Sequence, residues 1–296
     1  MERRRGPGWI RLGYGVHRPT SDDSIFAELR AWQEVLPRNA IVTGLTGARV
    51  RGLWLPPVPD ALPVFVDVPP HRTHSSRRGV RVSRPRQMPD FELIEGVRVA
   101  TAPECLLACA RDLSALDLAV LIDAAHHVGA LTEAGLAELT TGSRRGMPQL
   151  RRAARLSDSR SESAWETLLR IIHRCADVAV EPQFDIFDSD GHVARADLRI
   201  VGAQMIHEYD GLHHRTPEGL HRDLTRDRRL LDAGWHRRGY TAHDVARRPG
   251  EIMEAAARSV GRVSTQAHLS AWRTLWEASL FSDAGTRKLS RRWNLA

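Results

Sequence analysis

Lysine is almost missing from this chain: among 296 residues the only one is Lys288, so nearly all the positive charge is arginine. That ratio can reflect genome base composition as readily as selection for phosphate binding, so arginine richness counts once, as charge. Cysteine is scarce too. Cys105, Cys109 and Cys175 are an odd number without a CxxC, so neither a disulfide framework nor a zinc ribbon is indicated. Cys105 and Cys109 stand four apart in an apolar segment, the spacing of a buried helix face. No apolar run approaches the length of a membrane span and no signal peptide opens the chain, so the expected setting is soluble, reducing and cytoplasmic, with no membrane partner. No Ser or Cys arrangement resembles a nucleophilic triad.

What is present is a hydrophobic share of 42%, enough for a core, and a formal charge of +7, which suggests a polyanionic partner such as nucleic acid. Residues 1–20 hold Arg3, Arg4, Arg5 and several glycines without a period and read as a flexible basic tail. Ile25, Leu29 and Trp32 give a short helix from Ser24, and Thr43 to Leu53 a second, stopped by prolines. PVFVDVPP, GVRVSRP and VRVATAP alternate as strands of a small sheet. Between Arg72 and Arg86 there are six arginines and no acid. Arg77 and Arg78 within that run are candidate phosphate contacts, although an arginine-decorated edge strand accounts for the run equally well.

Thr101 with Glu104 has capping-box spacing, opening a helix to Asp112; further helices are expected over Ser114–His127 and Thr132–Thr140. The segment 43–140, on TGLTGARVRGLWLP, PVFVDVPP, RRGVRVSRP and VRVATAPECLLACA, resembles the C-terminal part of AbiEi-family antitoxins of toxin–antitoxin systems. The winged helix that normally precedes this part has no counterpart here. The resemblance implies a protein partner for the N-terminal domain.

The chain divides on this reading into a tail (1–20), a smaller mixed α/β domain (21–145), a linker (146–160), a second domain (161–262) and a helical tail (263–296). In the second domain Ser163 and Glu166 repeat the capping-box spacing, and Trp165, Leu168, Leu169 and Ile172 line one helix face. VEPQFDIF is a strand. HVARADLRI alternates cleanly, with Ala194, Ala196, Leu198 and Ile200 on one face and Asp197 on the other. AQMIHEYDGLHH is a strand running into a turn; Glu208 and Asp210 share a face, followed by His213 and His214. A helix over Pro217–Ala233 has Leu220, Leu224 and Leu231 as its stripe, with Asp227 set into the gap. A strand to Tyr240 and a helix from His243 complete an α-β-β-β-α-β-α order.

Glu166, Asp197, Glu208, Asp210, His214, Asp223 and Asp227 make a set of hard oxygen ligands and proton carriers suited to Mg²⁺- or Mn²⁺-assisted phosphodiester hydrolysis. Arg222 and Arg226 would face phosphate. The element order, with an Asp followed eleven residues on by Glu-x-Asp, resembles the PD-(D/E)XK nuclease superfamily. ESAWETLLR, RADLRI, IHEYDGLHH, HRDLTRDRRLLDAGW and HDVARRPGEI resemble a bacterial family related to very-short-patch-repair endonucleases. The resemblance implies a C-terminal restriction-endonuclease-like α/β (α+β) domain, a central mixed sheet flanked by helices, acting on DNA. Asp197 and Glu208 would be metal ligands and Glu166 the helix-borne acid, with His214 and Asp223 or Asp227 accessory. The superfamily lysine two places after the second acid is Asp210 here. A non-catalytic DNA-binding or antitoxin-like regulator that retains the nuclease fold is the alternative.

Overall fold

Residues 9–19, expected within the tail, form a hairpin instead: β1 (Trp9–Gly13) pairs antiparallel with β2 (Val16–Pro19). Helical and strand periods do not reveal it because its anchor is a close approach. A Cβ on Gly13 would lie 2.8 Å from the ring of Trp32, which is itself 1% exposed. The computed structural model describes residues 8–59, 62–70, 77–211 and 217–295; the side chains of 217–223 lie outside the described set.

Helix α1 (Ile25–Gln33) starts at Ser24, whose hydroxyl accepts from Ala27 N–H. Then come β3 (Ile41–Val42), α2 (Gly44–Val50), β4 (Val64–Asp67), β5 (Val80–Ser83), β6 (Phe91–Ile94) and β7 (Val97–Ala100). The strands form a mixed sheet in the order β5-β4-β3-β7-β6. β4 and β5 run parallel, so the arginine-rich stretch between them is a crossover and not a hairpin; residues 71–76 of it lie outside the described residues.

Helices α3 (Ala102–Cys109), α4 (Ala115–His127), α5 (Glu133–Thr141) and α6 (Met147–Ala154) follow. The expected capping box at Thr101 does not form. Thr101 makes no side-chain cap bond, and Glu104 takes both forks of Arg144 at 2.6 and 2.9 Å. Ser114 does form one, with Asp117. α4 is apolar nearly all round because two cores share it. Leu118, Leu121 and Ile122 pack against α2, α3 and α6, while Leu116, Ala119 and Val120 pack against the next helix, α7 (Ala164–Cys175). Full burial of each of these leucines stabilises by about 2 kcal/mol. Asp123 of α4 is paired at 2.8 Å with Arg170 of α7 and also accepts from Thr167, which keeps the buried carboxylate tolerable. Residues 146–160, expected as a linker, contribute Met147, Leu150 and Ala153 to the first core.

Past α7, the strands β8 (Val180–Asp188), β9 (Gly191–Ile200) and β10 (Met205–Tyr209), helix α8 (Pro217–Asp232) and strand β11 (His236–Tyr240) reproduce the expected order. The sheet runs β11-β10-β9-β8, antiparallel except for the β10–β11 pair. Ala194, Ala196, Leu198 and Ile200 are buried as their alternation requires. The helix expected from His243 is broken into α9 (Ala242–Arg247) and α10 (Pro249–Ser259), since Pro249 disfavours helical geometry at Arg248. After α11 (Gln266–Glu277), α12 (Asp283–Trp293) returns to the N-terminal core with Leu289 and Trp293. The chain is a mixed α/β protein with separate mixed sheets.

Candidate active site

Asp197 lies on β9, and continuing the antiparallel register of Ile206↔Arg199 and His207↔Leu198 by one step brings it opposite Glu208. The ladder opens there. Tyr209 N–H donates to Asp197 Oδ2 at 2.8 Å, so a side chain takes the bond that a strand carbonyl would otherwise accept. Burial, followed by the charge of Glu166, pushes the Asp197 carboxyl up to about 7, with Glu208 adding to the effect. Three carboxylates from α7, β9 and β10 thus feel one another.

Glu166 is available because its cap is only half made. Ser163 Oγ accepts from Glu166 N–H, but the Glu166 carboxylate accepts from Glu162 N–H and from Gln183 Nε2, both at 2.9 Å. Gln183 was not singled out from the sequence. It lies within β8 opposite Asp197 by register, and its φ is +54°, a region a non-glycine residue enters only when its surroundings hold it there. Nothing in the local pattern VEPQFDIF signals this.

Glu208 is 4% exposed, and both its oxygens are taken. Arg226 of α8 holds Oε1, and Arg237 Nε of β11 holds Oε2 at 2.5 Å. Arg237 also donates to Asp210 Oδ1 at 2.5 Å and stands 3.9 Å from Asp227. Burial opposes the charge of Arg237, but the Glu208 hydrogen bond and the surrounding acids hold its pKa above the usual arginine value. Gly239, paired with Glu208 in the parallel register, makes room for Asp210: a Cβ there would fall 1.8 Å from Asp210 Oδ2. Arg237 was also missed, since it is recognisable only when β11 is laid beside β10.

Asp227 does not sit in a buried stripe. Leu224 and Leu231 are 58% and 61% exposed, and Leu230, at 1%, is what α8 buries, so the helix is phased differently from the expected pattern. Asp227 is half-exposed and reaches the site through Arg237. His214 and the side chains of Arg222 and Asp223 lie outside the described residues. Arg77 and Arg78 belong to the N-terminal domain, beside β5, and line a cavity there with none of these acids.

On the opposite side of β10, His207 Nδ1 meets His173 Nε2 at 2.7 Å, and His173 Nδ1 meets Leu169 O at 2.8 Å. The carbonyl requires a proton on His173 Nδ1, so Nε2 accepts from His207 and both rings are neutral. Burial pushes His173 down to about 4; burial, together with His173 beside it, pushes His207 lower still. A folded-state value below the unfolded 6.5 gives stability that is full above pH 6.5 and is lost as pH falls towards 4. His173→Gln, which keeps a donor and an acceptor but does not titrate, is expected to flatten this loss. The predicted difference in urea-unfolding stability, comparing pH 7 with pH 4.5, is on the order of 2 kcal/mol. The raised Asp197 and Asp117 move stability the other way in both proteins and drop out of the comparison.

The donor set fits a hard divalent cation in its chemistry. Among the described residues, no three His, Cys, Asp or Glu side chains stand close enough together to hold a metal ion. Mg²⁺ commonly takes one or two carboxylates and keeps its waters. The expected metal set of Glu166, Asp197 and Glu208 is therefore not brought together as a three-ligand site; Asp197 and Glu208, opposite each other by register, are the two acids that would hold such an ion, and both Glu208 oxygens are held by Arg226 and Arg237. Beside it Trp165 stacks on Tyr209, centroids 5.6 Å apart and planes 10° from parallel.

Fold and site together define a mixed α/β protein with a coupled acid–arginine centre on its second sheet. No family model matches the chain, and no solved structure matches it. It is similar to two Mycobacterium tuberculosis proteins, Uncharacterized protein MT2308 (strain CDC 1551 / Oshkosh) and Uncharacterized protein Rv2248 (strain ATCC 25618 / H37Rv). Each is 30% identical over 121 residues. The match spans 40% of this chain and 45% of each relative, less than half their length. Among the described residues no helix is long and apolar enough to cross a membrane.

Proposed function

We propose that the C-terminal half is a restriction-endonuclease-like domain that hydrolyses phosphodiester bonds in DNA with Mg²⁺ or Mn²⁺. The observation that carries this reading is the approach of Glu166, Asp197 and Glu208 from three elements, with Asp197 pushed up to about 7 by burial first and then by the charges of Glu166 and Glu208. Acids are brought together against their mutual repulsion where a cation or a proton is to be shared. A bound divalent cation would supply Lewis acidity and a water of lowered pKa. Asp197, with Oδ2 fixed by Tyr209 N–H, leaves Oδ1 to bind the ion or hold a proton from the attacking water. Gln183 orients Glu166. Arg226 and Arg237 lie where a phosphate could exchange for the Glu208 carboxylate, and Arg237 supplies a cation near Asp210, where the superfamily lysine is missing. The Trp165–Tyr209 stack offers a flat surface for a base. The N-terminal domain serves partner or nucleic-acid contact.

One observation favours a second reading, a DNA-binding regulator that does not cut: Glu208 is fully engaged by two guanidinium groups. Cleavage assays on DNA and RNA panels with Mg²⁺ and Mn²⁺ separate the two. Under the first reading Glu208→Gln lowers cleavage by about 100-fold or more while nucleic-acid binding survives. Binding without cleavage by the wild type under every metal would select the second.

A further inference from the structure

Seven arginines and three acids line one groove of the N-terminal domain, and the acids do not meet all of the arginines. Asp112 is held by Arg292 at 2.7 Å, with Arg81 at 3.8 Å, and Asp67, 2% exposed, lies under the charge of Arg111. Arg11, Arg77, Arg78 and Arg145 make no ion pair among the described residues, and the one remaining acid is Glu28. They come from three stretches of chain: β1, the crossover into β5, and the turn before α6. Arg11, Arg78 and Arg145 are exposed. Guanidinium groups gathered without counter-ions give the groove a field that attracts an anion.

At the lip of the same groove stands Tyr14, 81% exposed, in the turn of the β1–β2 hairpin. That turn is braced. A Cβ on Gly13 or on Gly79 would lie 2.8 Å from the Trp32 ring, so the hairpin and the start of β5 both close on it. Arg77 Nη1 donates to Tyr14 O at 3.1 Å, and Arg11 Nε donates to Gly13 O at 3.2 Å. An aromatic ring is thus offered to solvent beside arginines that lack counter-ions. So exposed a ring adds little to the core, and its face is free to stack.

The groove measures about 1400 Å³, above the roughly 300–1,000 Å³ of pockets that enclose a small ligand. A single small anion would engage the arginines of one stretch and leave Tyr14 unused. A flat lipid surface does not follow arginines set around a concavity. A chain with a charge on each unit and a π-face to offer engages both features. We propose that this groove binds single-stranded nucleic acid, its phosphates at Arg11, Arg78 and Arg145 and a base stacked on Tyr14. Asp67, closed from solvent beside Arg111, takes no part. The groove contains none of the acids of the second sheet, so the proposal does not depend on cleavage there.

Fluorescence anisotropy tests this on the full chain, in EDTA so that no metal-dependent cleavage intervenes. The probes are labelled single-stranded DNA, single-stranded RNA, duplex DNA and a glutamate-rich peptide of equal charge. The expected result is a single strand bound with a Kd on the order of 1 µM at low salt, and duplex and peptide about tenfold weaker. Binding of either strand supports the proposal, and the tighter one names the sugar. Arg78→Gln combined with Arg145→Gln should weaken single-strand binding about tenfold and make its log–log salt dependence shallower by about 1.4. Tyr14→Ala should weaken it about tenfold with the salt dependence unchanged, because stacking releases no counter-ion. All three side chains are exposed, so both variants should keep the wild-type melting temperature. Duplex or peptide bound as tightly as the single strand, no binding by either strand, or wild-type affinity in either variant would overturn the proposal.

Discussion

Asp197→Asn is expected to stabilise the protein at pH 8 by about 2 kcal/mol and, on the proposed nuclease reading, to reduce cleavage by about 100-fold or more. The Asp197 carboxyl, held near 7 by burial and by Glu166, is ionised at pH 8 against the preference of its surroundings. A folded-state value above the unfolded one gives stability that is full below about pH 4 and lost as pH rises through 7. The figure is roughly half what the full displacement would give, because the side chain is partly exposed and solvent screens it. Asparagine retains an oxygen for the Tyr209 N–H and carries no charge, so the gain should vanish near pH 4 and grow towards pH 8. Urea unfolding across that range measures it. A variant less stable than the wild type at pH 8 would mean that the carboxylate is satisfied rather than strained, and the case for a cation-sharing cluster would fall with it. Stability gained as activity is lost is what a centre assembled against its own electrostatics predicts.

The second large effect is expected at Arg237. Arg237→Ala removes a guanidinium that binds Glu208 and Asp210, each at 2.5 Å, and stands 3.9 Å from Asp227. Glu208, 4% exposed, would keep only Arg226 while facing Asp197. Breaking a buried pair from one side leaves an uncompensated charge, so a loss of about 3 kcal/mol is expected in urea unfolding. Millimolar Mg²⁺ should recover part of this loss in the variant, more than it stabilises the wild type, since a divalent cation can replace the missing charge between Asp197 and Glu208. Destabilisation that Mg²⁺ leaves untouched would count against metal at Glu208 and favour the non-cutting regulator.

Local patterns carried much of the C-terminal half. The clean alternation of HVARADLRI gave β9 its buried face, and the α-β-β-β-α-β order follows from periods of 3.6 and 2 read in sequence. Asp197, a carboxylate on the polar face of one strand, and Glu208, at the end of the next, stood out in the sequence, and the strand register sets them opposite each other. Patterns failed where a contact, and not a period, sets the structure. Leucines at 220, 224 and 231 suggested one face of α8, but the sheet beneath takes Leu230, whose neighbours come from β8, β9 and β10. The N-terminal hairpin rests on Gly13 fitted to the Trp32 ring, and the supposed linker is a core helix because α4 offers it a partner.

The sequence by itself determined the kinds of element, their order and the acids available to a site, because backbone preference and side-chain period act between residues near in the chain. Only the tertiary structure decided which charges meet. It set Arg237 against Glu208 and Asp210 and turned Gln183 to Glu166. Such pairings depend on burial and on distance across strands and helices, where desolvation makes a charge either costly or useful, and neither quantity is written in local order.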